Sequence, residues 1–255
     1  PNHSALKVAE NFRMLEALFP GRVDLGMGRA PGTDRLTAAM LNPSNQFREQ
    51  DFIEQLYDLL NYFHDRGEPG TPVSKIRAIP QVQTVPAMWL LSSSGDSGLF
   101  AAHFGMGLSF AHFINPIGGP QAVAAYRERF KPSEDQAEPA VSVAIFVYCS
   151  EDEEKIRRHQ ALMDFRFNQF EQGKGLSPVR YEDIQDHTST INEQDRILHN
   201  RKRVITGNPE EIKAKLTRLA EEYQVDEIIA VTITEDFDDR LNSYKLLAEQ
   251  FRLGV

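Results

Sequence analysis

The stretch Val141-Ser142-Val143-Ala144-Ile145-Phe146-Val147-Tyr148-Cys149 decides the fold class. Successive strand residues point to opposite faces, and here both faces are apolar: Val141, Val143, Ile145 and Val147 on one, Ala144 and Phe146 on the other. A strand with one wet face alternates apolar with polar. A strand apolar on both faces is covered on both sides, the condition of a parallel sheet flanked by helices.

The neighbouring segments agree with a parallel α/β chain. After this strand, residues 151–170 read as a helix with Ile156, Met163, Phe167 and Phe170 on its apolar side. Asn208-Pro209-Glu210-Glu211 supplies an N-cap, a proline at the first helical position and a glutamate at the third. It opens a helix to residue 223, followed by a strand over 226–233 and a helix over 238–251. Upstream, strands are expected at 22–28, 88–91 and 107–113, with helices at 46–64 and 121–130 and a short one ending at Gly105. A first helix over 5–18, capped by Ser4, would bury Val8, Phe12, Leu15 and Phe19. Residues 67–86 suit a small hairpin, and residues 171–206 read as a long, polar, mobile excursion within a single domain. The count is five strand-and-helix units, whereas a closed α/β barrel has eight.

Composition narrows the function classes. The 255 residues are 41% hydrophobic and 25% charged, the balance of a globular chain. Lys and Arg number 28 against 37 Asp and Glu, a net charge of −9, which argues against a nucleic-acid reader. Cys149 is the only cysteine, and no histidine pair has the spacing of a metal site. No apolar run approaches the ~20 residues of a membrane span, and no signal peptide opens the sequence. A cytoplasmic enzyme is the expected class. Pro1 in place of Met points to a start further upstream.

Two turns have the chemistry of an anion site. Ser93-Ser94-Gly95-Asp96-Ser97-Gly98 follows an apolar strand and feeds a helix, so backbone N–H groups and the Ser94 and Ser97 hydroxyls face a ligand at the helix start. An ordinary strand-to-helix turn with a serine cap has the same pattern. Gly26-Met27-Gly28-Arg29 ends another strand, and an arginine at a carboxyl edge suits phosphate through forked, charge-assisted bonds. An ion pair of Arg29 with Asp34 or another acid is the alternative. His112, at the end of a strand, is the best-placed titrating group, either as an acid/base beside a ligand or as a packed core histidine. His3 lies before the first helix, near the same rim. His103 reads as structural, and His64, His159, His187 and His199 as surface residues. Cys149 reads as a small buried filler, and Glu151-Asp152-Glu153-Glu154 as a helix start favoured by the dipole.

Taken together, Pro1-Asn2-His3-Ser4 and Pro20-Gly21-Arg22-Val23-Asp24-Leu25-Gly26-Met27-Gly28-Arg29-Ala30-Pro31-Gly32-Thr33-Asp34 resemble the bacterial luciferase-like flavin-dependent monooxygenases. Trp89 to Ser97, Ala124 to Phe130, Gly207-Asn208-Pro209-Glu210 and Arg240 to Ala248 extend the likeness over most of the chain. The resemblance implies a (β/α)₈ TIM barrel, represented here by about strands 4–8, with the first three strands and their catalytic histidine upstream of Pro1. It implies an oxidoreductase using reduced FMN, supplied by a flavin reductase, and O₂ on a small organic substrate, in a homodimer. Arg29, Ser94, Gly95 and Ser97 would lie at the flavin phosphate and His112 near the flavin ring. A non-catalytic flavin-binding module and a deazaflavin-dependent dehydrogenase on the same barrel are the alternatives.

Overall fold

The computed structural model describes residues 2–43, 48–174 and 179–254, and of Arg35 the backbone alone. The chain divides into two compact units, Pro1–Ser109 with Ala124–Ala140, and Phe110–Val123 with Val141–Val255.

The first unit opens with α1 (Ala5–Leu18), whose cap Ser4 accepts the Lys7 N–H at 3.4 Å. It continues through β1 (Asp24–Gly28), α2 (Arg35–Leu41), α3 (Glu49–Phe63), β2 (Ala87–Ser92) and α4 (Gly95–Phe104). Strand β3 (Gly107–Ala111) and helix α5 (Gly119–Arg129) each pass from one unit to the other. β1 and β2 pair in parallel with Leu25 opposite Met88 and Gly28 opposite Leu91. α1 packs on α3, and α4 on β2. Gly107 permits the packing of Trp89, whose Cε3 would stand 2.5 Å from a Cβ at that position.

The second unit is built on β4 (Val141–Cys149), the strand apolar on both faces. β6 (Glu227–Val231) pairs in parallel with its first half, Ser142 opposite Glu227. β5 (Val204–Gly207) pairs in parallel with its second half, Cys149 opposite Gly207. α9 (Pro209–Tyr223) and α10 (Phe237–Phe251) pack on β4 and on each other. α6 (Glu153–Glu171), α7 (Tyr181–Ile184) and α8 (Ile191–Asn200) pack together. Asp152 caps α6, accepting N–H groups of Glu154 and Lys155, and Asn208 caps α9, accepting that of Glu211. Among the described residues no helix is long and apolar enough to cross a membrane.

Four expectations are corrected. The described residues between 179 and 206 hold α7, α8 and the start of β5, so the strands among the described residues number six rather than five. β5 escapes a pattern search because Val204-Ile205-Thr206-Gly207 is four residues long and follows Arg201-Lys202-Arg203 directly. Residues 67–86 form no hairpin and contain one short turn of 3₁₀ helix, Val73–Lys75, because Pro69, Pro72, Pro80 and Pro86 lack the N–H donors a strand ladder needs. α2 stands between the strand expected at 22–28 and the helix expected at 46–64, where no element was assigned, and is capped by Asp34, which accepts the Thr37 N–H at 2.9 Å.

The fourth correction concerns α1. It buries Ala9, Arg13 and Glu16, whereas Leu15 and Phe19 are exposed. The Arg13 guanidinium donates to Ala78 O at 2.6 Å and Phe63 O at 2.9 Å and pairs with Asp65 at 3.1 Å. Glu16 accepts the Gly21 N–H at 2.7 Å. Two loop segments thus meet polar partners on this helix, which overrides the apolar periodicity.

Candidate functional site

Register brings two of the predicted segments to one edge. β1 and β2 run in parallel with Gly28 opposite Leu91, so Arg29 and the Ser92–Ser94 turn leave neighbouring strands at the same carboxyl edge. Ser92 is buried and shapes the turn: its hydroxyl donates to Ser94 O at 2.5 Å and accepts the Ser94 N–H at 3.1 Å. Ser94 then takes the N-cap position of α4 in extended conformation, with φ −142° and ψ 166°. Its own hydroxyl makes no capping bond. The first N–H groups of α4 lack intrahelical acceptors, as in any helix, and form the positive end of its dipole.

Gly95 follows, and a Cβ there would meet nothing within 4 Å. Ser97 is buried and Ser94 is exposed. Asp96, the acid of this turn, is exposed. An unused hydroxyl, unpaired helix N–H groups and open space at a glycine fit a phosphate group.

Arg29 at the neighbouring strand end is engaged by an acid. Its Nη1 donates to Glu49 Oε2, in the first turn of α3, at 2.6 Å, and both side chains are more than a third exposed. The expected alternative partner, Asp34, faces α2 instead, where bonds from the Thr37 hydroxyl and N–H hold its carboxyl below the usual range. Asn2 and His3 line a cavity of about 300 Å³ together with Gly26, Met27 and Gly28. Asn2 Nδ2 donates to Pro31 O at 2.8 Å, while its buried Oδ1 has no hydrogen-bond partner.

His112 belongs to the second unit and is 8% exposed. Its Nε2 lies 2.9 Å from Lys202 O, and a carbonyl only accepts, so Nε2 carries the proton. Nδ1 then accepts the Tyr223 hydroxyl at 2.8 Å. Burial pushes the imidazole pKa down, opposed by the bond to Lys202. Both ring nitrogens are therefore engaged within the fold, a geometry that suits positioning rather than proton transfer. Gly119 makes room for it: a Cβ there would lie 1.8 Å from the Tyr223 hydroxyl oxygen.

The sequence reading missed His159. Rather than a surface residue, it is buried at 8% exposure, stacks on Tyr148 with ring centroids 4.1 Å apart, and is driven by burial to a pKa of about 4. Its position three and four residues before Leu162 and Met163, both buried, is the signal that places it on the inner face of α6. Phe170, expected inside, is exposed. Cys149 is buried with its thiol pushed up to about 11 by burial, the behaviour of a packed, unreactive thiol.

Comparison with known proteins supplies the family. The chain is 44% identical over 252 residues to the protein YwcH of Bacillus subtilis (strain 168), which covers 98% of this chain and 76% of that protein. The crystal structure of apo-MsnO8 superposes with a TM-score of 0.85 at 31% identity, covering 99% of this chain and 75% of the other. The shared fold is the parallel α/β arrangement of luciferase-like TIM-barrel chains. It extends to two distant structures. One is a type II Baeyer–Villiger monooxygenase of Pseudomonas putida in complex with FMN, with a TM-score of 0.64 at 16% identity. The other is an F420-dependent secondary alcohol dehydrogenase, with a TM-score of 0.66 at 13% identity. Residues 1–227 match the family described as "Luciferase-like monooxygenase", and the chain belongs to that family.

Proposed function

We propose that this protein is a flavin-dependent monooxygenase that uses reduced FMN and O₂ to oxygenate a small organic substrate. The observation that carries the reading is the common carboxyl edge of β1 and β2. There a cationic side chain, Arg29, follows one strand and the N-terminus of a ten-residue helix follows the other. Family membership supports a flavin or deazaflavin cofactor in general, and the phosphate-type donors at this edge support a phosphorylated one, of which FMN is the simplest.

Each residue has a defined task in this reading. The Arg29 guanidinium would hold the phosphate, exchanging its bond to Glu49 for charge-assisted bonds to the phosphate. The Ser94 hydroxyl and the α4 N–H groups donate to the same phosphate, and Gly95 lets it approach the backbone. Ser97, buried behind them, adds a hydroxyl to the turn. Bound reduced flavin supplies the electrons that activate O₂, and a flavin reductase is its source. His112 and Tyr223 hold the end of β3 against α9, and no proton transfer is assigned to them.

Anaerobic titration of the protein with reduced FMN, reduced riboflavin and reduced F420 tests the cofactor, followed by admission of O₂ and mass analysis of candidate organic substrates. The reading requires tighter binding of FMN than of riboflavin, and substrate-dependent gain of one oxygen atom. Preference for F420 without oxygen incorporation would replace it with a dehydrogenase. Flavin binding with no product from any substrate would favour a binding module.

A further inference from the structure

Lys155, Arg158, His159, Leu162 and Arg166 recur at helical spacing on one face of α6 and wall a cavity of about 180 Å³. It lies at the carboxyl ends of β4 and β6, the functional rim of parallel α/β folds. One wall is apolar, made of the stacked Tyr148 and His159 rings and of Leu162, 4% exposed. His159 brings no positive charge at neutral pH, because burial holds its pKa at about 4, and its Nε2 donates to Ile233 O at 3.0 Å.

The three cations of this face differ in their partners. Lys155 meets Asp239 at 2.5 Å, and Arg158 meets Glu154 at 2.8 Å. Arg166 has no carboxylate within 4 Å among the described residues. Its Nη2 donates to Val179 O at 3.2 Å. A guanidinium has five N–H donors in a planar fork matched to a carboxylate, and Arg166, which lines the cavity, uses one of them on Val179 O. The acids at the cavity are Glu182, Glu235, Asp236 and Asp239, one more than the cations Lys155, Arg158 and Arg166. A simple anion would meet a net negative lining, whereas a molecule carrying both charges would not.

We propose that this cavity binds a small zwitterion of the α-amino-acid type, its carboxylate on the Arg166 guanidinium, its ammonium group toward Glu235 and its side chain against Leu162 and the Tyr148–His159 stack. The site is made of second-unit residues and stands apart from the flavin reading, so its test uses no flavin.

The test is a calorimetric and NMR titration of the whole protein with L-valine and with two compounds that keep one charged group each, 3-methylbutanoate and 2-methylpropylamine. Saturable valine binding with Kd below about 10 mM is expected, with each single-charge compound weaker by about tenfold, the loss of one charge-assisted bond. Arg166→Gln weakens valine about tenfold at an unchanged melting temperature, and Glu235→Gln weakens valine while leaving 3-methylbutanoate as it was or tighter. The proposal is overturned by the absence of saturable valine binding, by equal binding of all three compounds, or by Arg166→Gln binding valine like the parent. Should Arg166→Gln not fold, Glu235→Gln decides on its own, since it replaces an exposed loop residue, and valine binding unaltered in it overturns the proposal.

Discussion

The Arg29 guanidinium donates to the Glu49 carboxylate at 2.6 Å, so the cation that ends β1 is bound to an acid at the start of α3. Both side chains are well exposed, 36% and 57%, and pairs of this kind contribute about 0–1 kcal/mol. In the proposed reading a phosphate, carrying more charge than a carboxylate, would displace Glu49 at little cost. The ion pair holds the arginine at the carboxyl edge without blocking it.

Arg29→Ala is expected to weaken reduced-FMN binding by about tenfold to a hundredfold, the range of a lost charge-assisted bond. Glu49→Gln is expected to tighten it by about two- to fivefold, because the competing carboxylate is neutralised. Riboflavin, without the phosphate, should bind the parent and both variants alike. Anaerobic fluorescence titration reads all three. Equal losses for FMN and riboflavin in Arg29→Ala would assign the arginine to the fold.

The serine turn separates binding from stability. Ser94→Ala should leave the melting temperature unchanged, since its hydroxyl makes no capping bond, yet weaken FMN by about two- to tenfold. Ser97→Ala should weaken FMN by a similar factor, with a stability cost because Ser97 is buried. Gly95→Ala adds a methyl group into open space, so the protein should fold normally and lose FMN affinity through crowding of the phosphate. Ser92→Ala should instead destabilise the fold by about 1 kcal/mol, because its hydroxyl bridges the turn. Calorimetric melting beside FMN titration checks the set. A melting loss in Ser94→Ala larger than in Ser92→Ala would contradict it.

His159 makes stability fall in acid. Its folded-state pKa, about 4, lies below its ordinary 6.5, so the unfolded chain takes up the proton first. Stability from this source is complete above pH 6.5 and falls as pH drops toward about 4, where the loss amounts to about 3 kcal/mol. Denaturant unfolding of the parent between pH 7 and pH 4 should show this slope, and His159→Gln should flatten it in that window. An identical pH dependence in parent and variant would show that His159 is accessible to protons in the folded state.

Gly119→Ala should be among the most damaging small changes in the second unit. The new methyl would overlap the Tyr223 hydroxyl, and overpacking of this kind costs about 1–3 kcal/mol. Tyr223→Phe should cost about 1 kcal/mol by leaving His112 Nδ1 without its donor, and it should partly rescue Gly119→Ala by removing the clashing oxygen. Thermal unfolding of the two single variants and the double variant measures the coupling. Strict additivity would show that the backbone moves to absorb the methyl.

Most helix and strand positions are legible in the sequence because caps and periodicity are local. Ser4, Asn208-Pro209 and the two-faced apolar run at 141–149 announce α1, α9 and β4 with the same boundaries the structure has. β5 is not legible, since four residues give no period, and β4 supplies the ladder that makes them a strand. The candidate phosphate residues were recognised as two separate turns by residue type and by the family resemblance. Glu49 was not, because its 2.6 Å contact with Arg29 spans twenty positions of sequence.

The sequence alone determined the parallel α/β class, the order of its main elements, the two anion-suited turns and the family. These follow from side-chain alternation, capping chemistry and glycine placement, which act over a few residues. Tertiary structure decided which residues are engaged. It joined the turns after β1 and β2 through the register Gly28 opposite Leu91. It tied both ring nitrogens of His112 to Tyr223 and Lys202, and it buried Arg13, Glu16 and His159 on helix faces whose pattern pointed elsewhere. A polar side chain is buried wherever backbone carbonyls or a partner ring from distant segments meet it, and those meetings are set by packing, which no short-range pattern encodes.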